Sequence, residues 1–281
     1  MDTLDTEGCQ IREVECKSVL NKSGLADYAV NCYAGCEHGC VYCYARFVTR
    51  FSHPGEPWGS FADIKVNAPQ VLAHEIRRKR VGRVFVSSVC DGWQPREASY
   101  CLTRQCLEIL VHHHYPLTIL TKSALAGRDL DILTSSEGVE FGVTITTLDE
   151  SLRSLIEPRS SPSAERLTIL QEAKRRGIKT YAFLGPLLPY LSDTEANLNS
   201  LLRAVKGVGA DYFYVDRLNQ RFGVWQSLRG ILQEHFPDLI EVYRKLLFDK
   251  GNRREYSERL MSSVNCSARR QGLGGKMRLC F

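Results

Sequence analysis

The sequence predicts an α/β fold in which six strand–helix units form an open or partly closed barrel. β-rich runs alternate with longer segments whose apolar residues recur at helical spacing. Such alternation implies parallel strands joined by right-handed crossovers. The chain has 281 residues, of which 43% are hydrophobic and 25% charged, enough for one large domain with a proper core. Functional residues of such a fold are expected at the C-terminal ends of its strands.

Each predicted strand is rich in Val, Ile, Phe or Tyr. The strands are predicted at Tyr28–Asn31, Arg83–Val89, Leu117–Thr121, Glu140–Ile145, Thr180–Leu184 and Tyr212–Val215. The helices between them are predicted at Pro69–Arg80, Ser99–His113, Arg128–Ser135, Ala164–Arg176 and Thr194–Gly207. Leu167, Leu170 and Ala173 show the helical spacing in the fourth of these helices. Pro, Gly and Ser are frequent in Phe51–Asp63, which predicts a loop after the first strand.

Residues 27–237 are expected to form the barrel, with residues 1–26 as an N-terminal extension. Residues 238–281 are expected to form a C-terminal helical appendix and a basic tail. Two helices are predicted in this appendix, at Leu239–Lys250 and Glu255–Val264. The tail is rich in Gly and basic residues, so we expect it to be disordered.

The composition favours a cytoplasmic protein. The first residues are acidic and polar, and no run approaches the roughly 18 apolar residues of a membrane span. The chain has 11 cysteines, an odd number, which argues against a framework of disulfides in a reducing compartment. The thiols are therefore expected to serve metal binding or catalysis.

The net charge of +5 is concentrated in four basic clusters. They lie at Ile76–Arg80, Lys174–Arg176, Asn252–Arg254 and Ala268–Arg278. The first two clusters lie at the C-terminal ends of predicted helices, where cations complement the helix dipole. Basic clusters also meet phosphates, so a nucleic-acid substrate is one of the partners we consider.

The segment Asn31–Phe47 holds four cysteines, for which zinc, a disulfide knot and an iron–sulfur cluster compete. Cys36, Cys40 and Cys43 have the spacing C-x3-C-x2-C, which brings three thiolates around one centre if the segment is a loop. Ferredoxin-type clusters use four cysteines at other spacings, whereas three ligands leave one metal position open for chemistry. Zinc with Cys32 or His38 as its fourth ligand stays open as an alternative.

With Tyr42 before the last cysteine, the motif resembles the C-x3-C-x-aromatic-C signature of the radical S-adenosylmethionine (radical SAM) superfamily. More narrowly, "GCEHGCVYCYAR" resembles the spore photoproduct lyase-like branch, whose members are often described as DNA repair photolyases. The resemblance extends from Lys17 to Asp216. It includes "KSVLNKSG", "SSVCDGWQPRE", "TILTKSALAGRD", "TITTLDESLRSLIEPRSSPSAERL" and "FLGPLLPYLSD".

The resemblance implies a partial (β/α)6 radical SAM barrel that carries a [4Fe-4S] cluster on Cys36, Cys40 and Cys43. S-adenosylmethionine would chelate the fourth iron and be cleaved reductively to a 5′-deoxyadenosyl radical, which abstracts hydrogen from the substrate. It implies a one-electron donor of the flavodoxin or ferredoxin type, and repair of a DNA lesion as the reaction. Two alternatives stay open. One is radical modification of RNA, a peptide or a small metabolite, and the other is a non-catalytic iron–sulfur or zinc protein that senses redox state or binds nucleic acid.

Six residues are expected to bind the cofactor: Tyr42, Asp91, Lys122, Thr144, Thr146 and Arg166. By the resemblance, Tyr42 would pack near the adenine and Asp91 would accept hydrogen bonds from the methionine ammonium. Lys122 follows an apolar strand and would bind the carboxylate or the ribose. Thr144 and Thr146 alternate onto one strand face, where either could contact the ribose or the methionine. Ordinary structural roles, such as a strand-end cap for Asp91, are the alternatives.

Arg166 lies near the start of a predicted helix, which is unfavourable for a cation, so we expect a carboxylate partner such as the cofactor or Glu157. Cys90 adjoins a strand end and is our candidate for returning a hydrogen atom to the product radical, with a buried structural cysteine as the alternative. Cys32 stands where the branch usually has proline, and its role stays open. A second cluster would need the cysteines near the two ends of the sequence: Cys9, Cys16, Cys266 and Cys280.

Overall fold

The computed structural model describes residues 3–4 and 8–280, with side chains described from residue 8 onward. The strands are β1 Thr3–Leu4, β2 Gln10–Val14, β3 Leu20–Lys22, β4 Tyr28–Val30, β5 Tyr33–Gly35, β6 Phe61–Lys65, β7 Val84–Val86, β8 Leu117–Thr121, β9 Glu140–Thr144, β10 Lys179–Leu187, β11 Tyr212–Arg217 and β12 Met277–Leu279. The α-helices are α1 Thr49–Ser52, α2 Ala68–Glu75, α3 Glu97–Tyr100, α4 Leu102–His112, α5 Leu130–Thr134, α6 Glu150–Ile156, α7 Ser163–Arg175, α8 Glu195–Gly207, α9 Val224–His235, α10 Ile240–Phe248 and α11 Lys250–Arg270.

The larger sheet has eight strands in the order β12-β11-β10-β9-β8-β7-β4-β3. Strands β4, β7, β8, β9, β10 and β11 are all parallel, and those six correspond to the predicted barrel strands. Neighbours in space are also consecutive units along the chain, as in a barrel that winds in one direction. The predicted α/β fold class is therefore confirmed.

Local sequence explains why these elements form. Strand β8, LTILT, alternates buried and half-buried residues, as expected of a strand between helices and the sheet interior. Helix α8 begins after its N-cap Thr194, whose hydroxyl accepts a hydrogen bond from the N–H of Asn197. Its apolar residues recur at helical spacing and are buried in the main hydrophobic core. They are Leu198, Leu201, Leu202 and Val205.

The sheet interior is filled by large side chains that need small partners. A Cβ atom on Gly142 would lie 2.3 Å from the ring of Tyr181, so glycine at this position makes room for the ring. The Tyr181 hydroxyl donates to the carbonyl oxygen of Ile119 at 2.7 Å. The ring stacks on Tyr212 at 5.3 Å between centroids. The aromatic side chains thus fill the space enclosed by β8 to β11.

A smaller sheet, in the order β1-β2-β6-β5, packs around the start of the cysteine segment. The predicted loop Phe51–Asp63 is wrong at its end, because Phe61–Lys65 pairs in parallel with Gln10–Val14. Pairing with a distant segment carries no local sequence signal, which explains the error. Helices α6 and α9 were likewise not predicted.

The C-terminal tail also differs from expectation. It forms β12, which pairs in parallel with β11 through Phe213 and Met277, so the expected disorder is wrong for this segment. The guanidinium of Arg278 lies 3.7 Å from the ring centroid of Tyr212, which helps to hold the strand in place. No helix in the described part of the chain is long and apolar enough to cross a membrane.

Candidate active site

The three motif cysteines lie on the segment that follows β5. Gly35 ends β5 with a φ of +84°, and a Cβ atom there would lie 2.5 Å from the carbonyl oxygen of Phe61. Only glycine combines this backbone conformation with such a close approach. Cys36, Cys40 and Cys43 are all free thiols, and Cys36 and Cys40 are buried.

The middle of this segment crosses the loop before β6 at short range. A Cβ atom on Gly59, whose φ is +97°, would lie 2.7 Å from the Cα atom of Gly39. The guanidinium of Arg159 donates to the carbonyl oxygen of Gly59, and the Arg159 N–H donates to the carbonyl oxygen of His38 at 3.4 Å. The close Gly39–Gly59 packing and the hydrogen bonds of Arg159 therefore hold the loop that carries the thiols.

The three thiols line one cavity at the C-terminal ends of β7, β8 and β9. Residues 87–91 follow β7, Lys122 follows β8, and Thr144 ends β9; all of them line this cavity. The remaining lining residues are His38, Tyr44, Ala45, Trp58, Phe85 and Leu120. The cavity thus lies where the fold class predicts functional residues.

Burial raises the pKa of all three motif thiols. For Cys40 the pKa reaches about 12 even though Lys122 lowers it. A metal centre reverses this effect, because thiols that coordinate a metal are deprotonated. Within residues 8–280, no three Cys, His, Asp or Glu side chains converge closely enough to hold a single metal ion. Three free thiols that line one cavity are a donor set that suits an iron–sulfur cluster, because cysteine thiolates hold the iron in such clusters.

Cys32 lies away from the cavity. Its Sγ atom is 3.5 Å from the Sγ atom of Cys106 on α4, and both residues are buried in the main core. Cys32 is therefore not placed as a fourth ligand beside the other three. Two of the cysteines considered for a second cluster, Cys266 and Cys280, are exposed.

Asp91 joins the ends of two neighbouring strands. Its carboxylate accepts hydrogen bonds from the N–H groups of Trp93 at 3.0 Å and Lys122 at 2.8 Å, and from the hydroxyl of Thr121 at 2.7 Å. The Nδ1 atom of His38 lies 3.5 Å from the same carboxylate. Burial lowers the pKa of His38 to about 4 although Asp91 opposes the shift, so the imidazole is neutral at pH 7.

Tyr42, Thr146 and Arg166 meet at Glu157 and do not line the cavity. The Tyr42 hydroxyl donates to Glu157, and the Thr146 hydroxyl donates to it at 3.1 Å. Arg166 is fully buried and forms an ion pair with the other carboxylate oxygen. Burial raises the pKa of Glu157, but Arg166 and Lys122 outweigh this effect and hold the pKa at about 2. The carboxylate expected as a partner for Arg166 is thus supplied by Glu157.

Lys122 places a positive charge beside the cysteines. Burial lowers its pKa, but the nearby Cys40 and Glu157 raise it by more, so the ammonium stays charged. Thr144 faces the same cavity, and its carbonyl oxygen accepts a hydrogen bond from Arg166 at 2.9 Å. The cavity wall and the Glu157 network are therefore directly connected.

Cys90 lies on the cavity wall, where Asn31 holds its segment. The side-chain oxygen of Asn31 accepts a hydrogen bond from the N–H of Val89 at 3.0 Å and lies 3.8 Å from the Cys90 Sγ atom. The Asn31 amide donates to the hydroxyl of Ser88 at 3.2 Å. Burial raises the pKa of Cys90 to about 12, so at pH 7 it is a neutral thiol that carries an S–H hydrogen.

Ser87 was not predicted as a site residue. It lines the cavity, and its φ is +66°. Its buried hydroxyl has no hydrogen-bond partner among residues 8–280. Positive φ is uncommon for an L-residue, and residues in sparsely populated conformations cluster at functional sites. Its position in the sequence indicates a site residue, because Ser87 and Ser88 precede Cys90 at the end of a predicted strand.

Residues 30–201 match the model of the radical SAM superfamily, and this segment includes all residues that line the cavity. The chain belongs to the radical SAM superfamily. Radical SAM enzymes use a [4Fe-4S] cluster and S-adenosylmethionine, and this enzyme therefore takes both cofactors. The predicted cofactors are confirmed at the level of the family.

Several relatives are similar over most of their length. An uncharacterized protein of Methanocaldococcus jannaschii is 31% identical over 236 residues, which cover 83% of this chain and 86% of the relative. An uncharacterized protein of Mycobacterium tuberculosis is 31% identical over 252 residues, covering 85% and 74%. A protein of Acidianus two-tailed virus is 28% identical over 219 residues, covering 74% and 72%.

Solved structures of spore photoproduct lyase share the fold. A mutant of that lyase with bound AdoMet and dinucleoside spore photoproduct superposes with a TM-score of 0.68 at 16% identity, covering 96% of this chain and 81% of the lyase. The lyase complexed with dinucleoside spore photoproduct gives 0.68 at 14% identity, covering 96% and 82%. At this level of identity the similarity establishes the fold alone.

Proposed function

We propose that this radical SAM enzyme holds its [4Fe-4S] cluster with Cys36, Cys40 and Cys43 and abstracts a hydrogen atom from a damaged nucleic acid in the cytoplasm. One observation carries the proposal: three free thiols line a single cavity at the C-terminal ends of β7, β8 and β9. When bound and reduced, the cluster and S-adenosylmethionine together supply the 5′-deoxyadenosyl radical. Three cysteine ligands leave one iron for the cofactor.

Three polar residues of the cavity wall are assigned to the cofactor. The charged ammonium of Lys122 suits the carboxylate of the methionine part, and Asp91 suits its ammonium group. The hydroxyl of Thr144 suits the ribose. Because Asp91 already accepts bonds from Trp93 of its own loop and from the end of β8, its carboxylate is fixed before the cofactor arrives.

Tyr42, Thr146 and Arg166 are assigned to the same site as positioning residues. Each is tied to Glu157, and Arg166 also binds the carbonyl oxygen of Thr144 at 2.9 Å. This buried network holds the wall that the cofactor meets, so its loss would move the wall without removing a direct contact.

A damaged nucleic acid is the substrate we favour. The solved structures that share this fold include spore photoproduct lyase complexed with dinucleoside spore photoproduct, and the chain has a net charge of +5. An external one-electron donor of the flavodoxin or ferredoxin type would reduce the cluster. Cys90, which keeps its S–H hydrogen at neutral pH, is assigned to return a hydrogen atom to the product.

The test is anaerobic reconstitution with iron and sulfide, reduction with dithionite in the presence of S-adenosylmethionine, and quantification of 5′-deoxyadenosine. Cys40→Ala removes one proposed ligand, whereas Cys32→Ala removes a buried thiol of the same segment that faces Cys106. We expect Cys40→Ala to lose the cluster absorbance and 5′-deoxyadenosine formation. Cys32→Ala should retain both.

Equal loss in the two variants would contradict the ligand assignment, because the effect would then reflect general damage to the segment. A wild-type cluster that forms but yields no 5′-deoxyadenosine would contradict the proposed chemistry.

A further inference from the structure

A second surface lies beside the cavity, on the loop between β11 and α9. Phe222 is 50% exposed, and the guanidinium of Arg50 lies 4.9 Å from its ring centroid. Arg221, the preceding residue, is exposed as well. A single exposed ring needs no explanation, but several accessible aromatic rings on one surface indicate an interaction site.

This loop touches the segment that carries the motif cysteines. A Cβ atom on Gly223 would lie 3.5 Å from the Cδ atom of Arg46. Arg46 in turn donates a hydrogen bond to the carbonyl oxygen of Cys40 at 3.0 Å. Tyr44, in the same segment, lines the cavity and is 43% exposed. The loop of Phe222 therefore packs on the segment whose residues Cys40 and Tyr44 line the cavity.

A groove leads away from this loop along the C-terminal helices. Phe222 shares its lining with Trp225 and Phe248. The ring of Phe248 is 54% exposed and lies edge-on to that of Trp225, with centroids 5.9 Å apart. The groove thus presents a second accessible aromatic ring on the same side of the molecule.

Cationic side chains line the adjoining groove. The guanidinium of Arg253 donates to Gln220, which lines the aromatic groove, so the two grooves are neighbours. Lys250 and Arg254 line the second groove together with Arg217 and Arg253, and its one carboxylate, Glu258, pairs with Arg254 at 2.9 Å. Cations exceed carboxylates there, so the groove favours an anionic ligand.

We infer that this aromatic–basic surface, made of Arg50, Arg221, Phe222, Phe248, Lys250 and Arg254, binds a single-stranded stretch of nucleic acid and leads it to the cavity. The inference rests on the proposed function and names the physical form of its substrate. Exposed rings stack on unpaired bases, whereas a duplex hides the faces of its bases. The cations of the second groove then meet the phosphates on either side of the stacked bases.

The test is fluorescence anisotropy of a labelled oligonucleotide of about 12 nucleotides, a length within the usual range of single-strand sites. The full-length reconstituted enzyme is titrated at several salt concentrations. DNA and RNA of the same sequence are compared with the corresponding DNA duplex. We expect both single strands to bind more tightly than the duplex, because only they offer free base faces.

Two variants separate stacking from charge. Phe222→Ala removes an exposed ring and should weaken binding by about tenfold or more, with little change in salt dependence. Lys250→Gln with Arg254→Gln should reduce the slope of log affinity against log salt by about 1.4, since each phosphate contact of a single strand contributes about 0.7. The matched control is Arg77→Gln with Arg78→Gln, two exposed cations that precede β7 and so lie at the opposite end of the sheet.

Several results would overturn the inference. They are the absence of binding by the wild type at low salt, a preference for the duplex, or equal losses in the control and surface variants. The inference would also be wrong if the surface variants lost reduction by flavodoxin but still bound the oligonucleotide. The surface would then bind an acidic electron donor. Formation of 5′-deoxyadenosine with dithionite should persist in every variant, so failure of the radical chemistry and failure of the surface are measured separately.

Discussion

Gly59→Ala should disturb the cysteine loop more than its small size suggests. The new Cβ atom would lie 2.7 Å from the Cα atom of Gly39. Because this neighbour is a backbone atom, no change of side-chain rotamer can relieve the contact. The φ of +97° costs an L-residue about 1–2 kcal/mol, and overpacking costs a further 1–3 kcal/mol. We therefore expect the free energy of unfolding to fall by about 2–5 kcal/mol, or the loop to shift away from β6.

The matched control is Gly55→Ala. Gly55 has a similar φ of +87°, but no atom lies within 4 Å of the position of its Cβ. This variant should lose only the conformational part, about 1–2 kcal/mol. Urea unfolding of both apoproteins gives the two free energies, and the difference between the variants isolates the contact with Gly39.

Iron content after reconstitution provides the second measurement. Gly59→Ala should bind less iron than Gly55→Ala, because Gly39 lies between two of the motif cysteines. Equal stability and equal iron content in the two variants would refute the argument that this backbone crossing holds the cysteine loop.

Two further predictions concern buried groups of the site. The pKa of Glu157 in the folded protein is about 2, below its ordinary value of 4.5, so its stabilising contribution is present above pH 4.5 and is lost as the pH falls toward 2. The stability difference between wild type and Glu157→Gln, measured by urea unfolding, should therefore shrink by about 3 kcal/mol across that range, and a constant difference would argue against an ionised Glu157. Cys90→Ala should still form 5′-deoxyadenosine but should yield less repaired oligonucleotide by mass spectrometry, since the product radical loses its hydrogen donor. Full repair by this variant would remove Cys90 from the mechanism.

The sequence located the cavity because its main features are local. Six apolar runs mark the parallel strands, and the ends of such strands meet at one edge. Asp91, Lys122 and Thr144 each lie at or just after the end of a strand, so their convergence follows from topology. The spacing of Cys36, Cys40 and Cys43 is also visible in the sequence alone, and the structure brings the three residues to the same cavity.

The contacts across the fold could not be predicted in the same way. The alternation of side chains along a strand predicted that Thr144 and Thr146 share one face. Only Thr144 lines the cavity, because Thr146 follows the end of β9 and its hydroxyl donates to Glu157. The spacing separates Cys32 from the three motif cysteines but does not indicate its partner, because Cys106 is on a helix far along the chain. Such pairings depend on how separate elements pack, which one sequence does not specify.

The pairing of β12 with β11 has a consequence for synthesis. Three helices, α9, α10 and α11, separate these strands, so the edge of β11 stays unpaired on the ribosome until all three have been made. An open strand edge can pair with another chain, and a contact so distant in sequence forms slowly. Docking of Met277–Leu279 then covers the edge of β11 and leaves the three-residue β12 as the edge strand, and so short an edge offers other chains little to pair with.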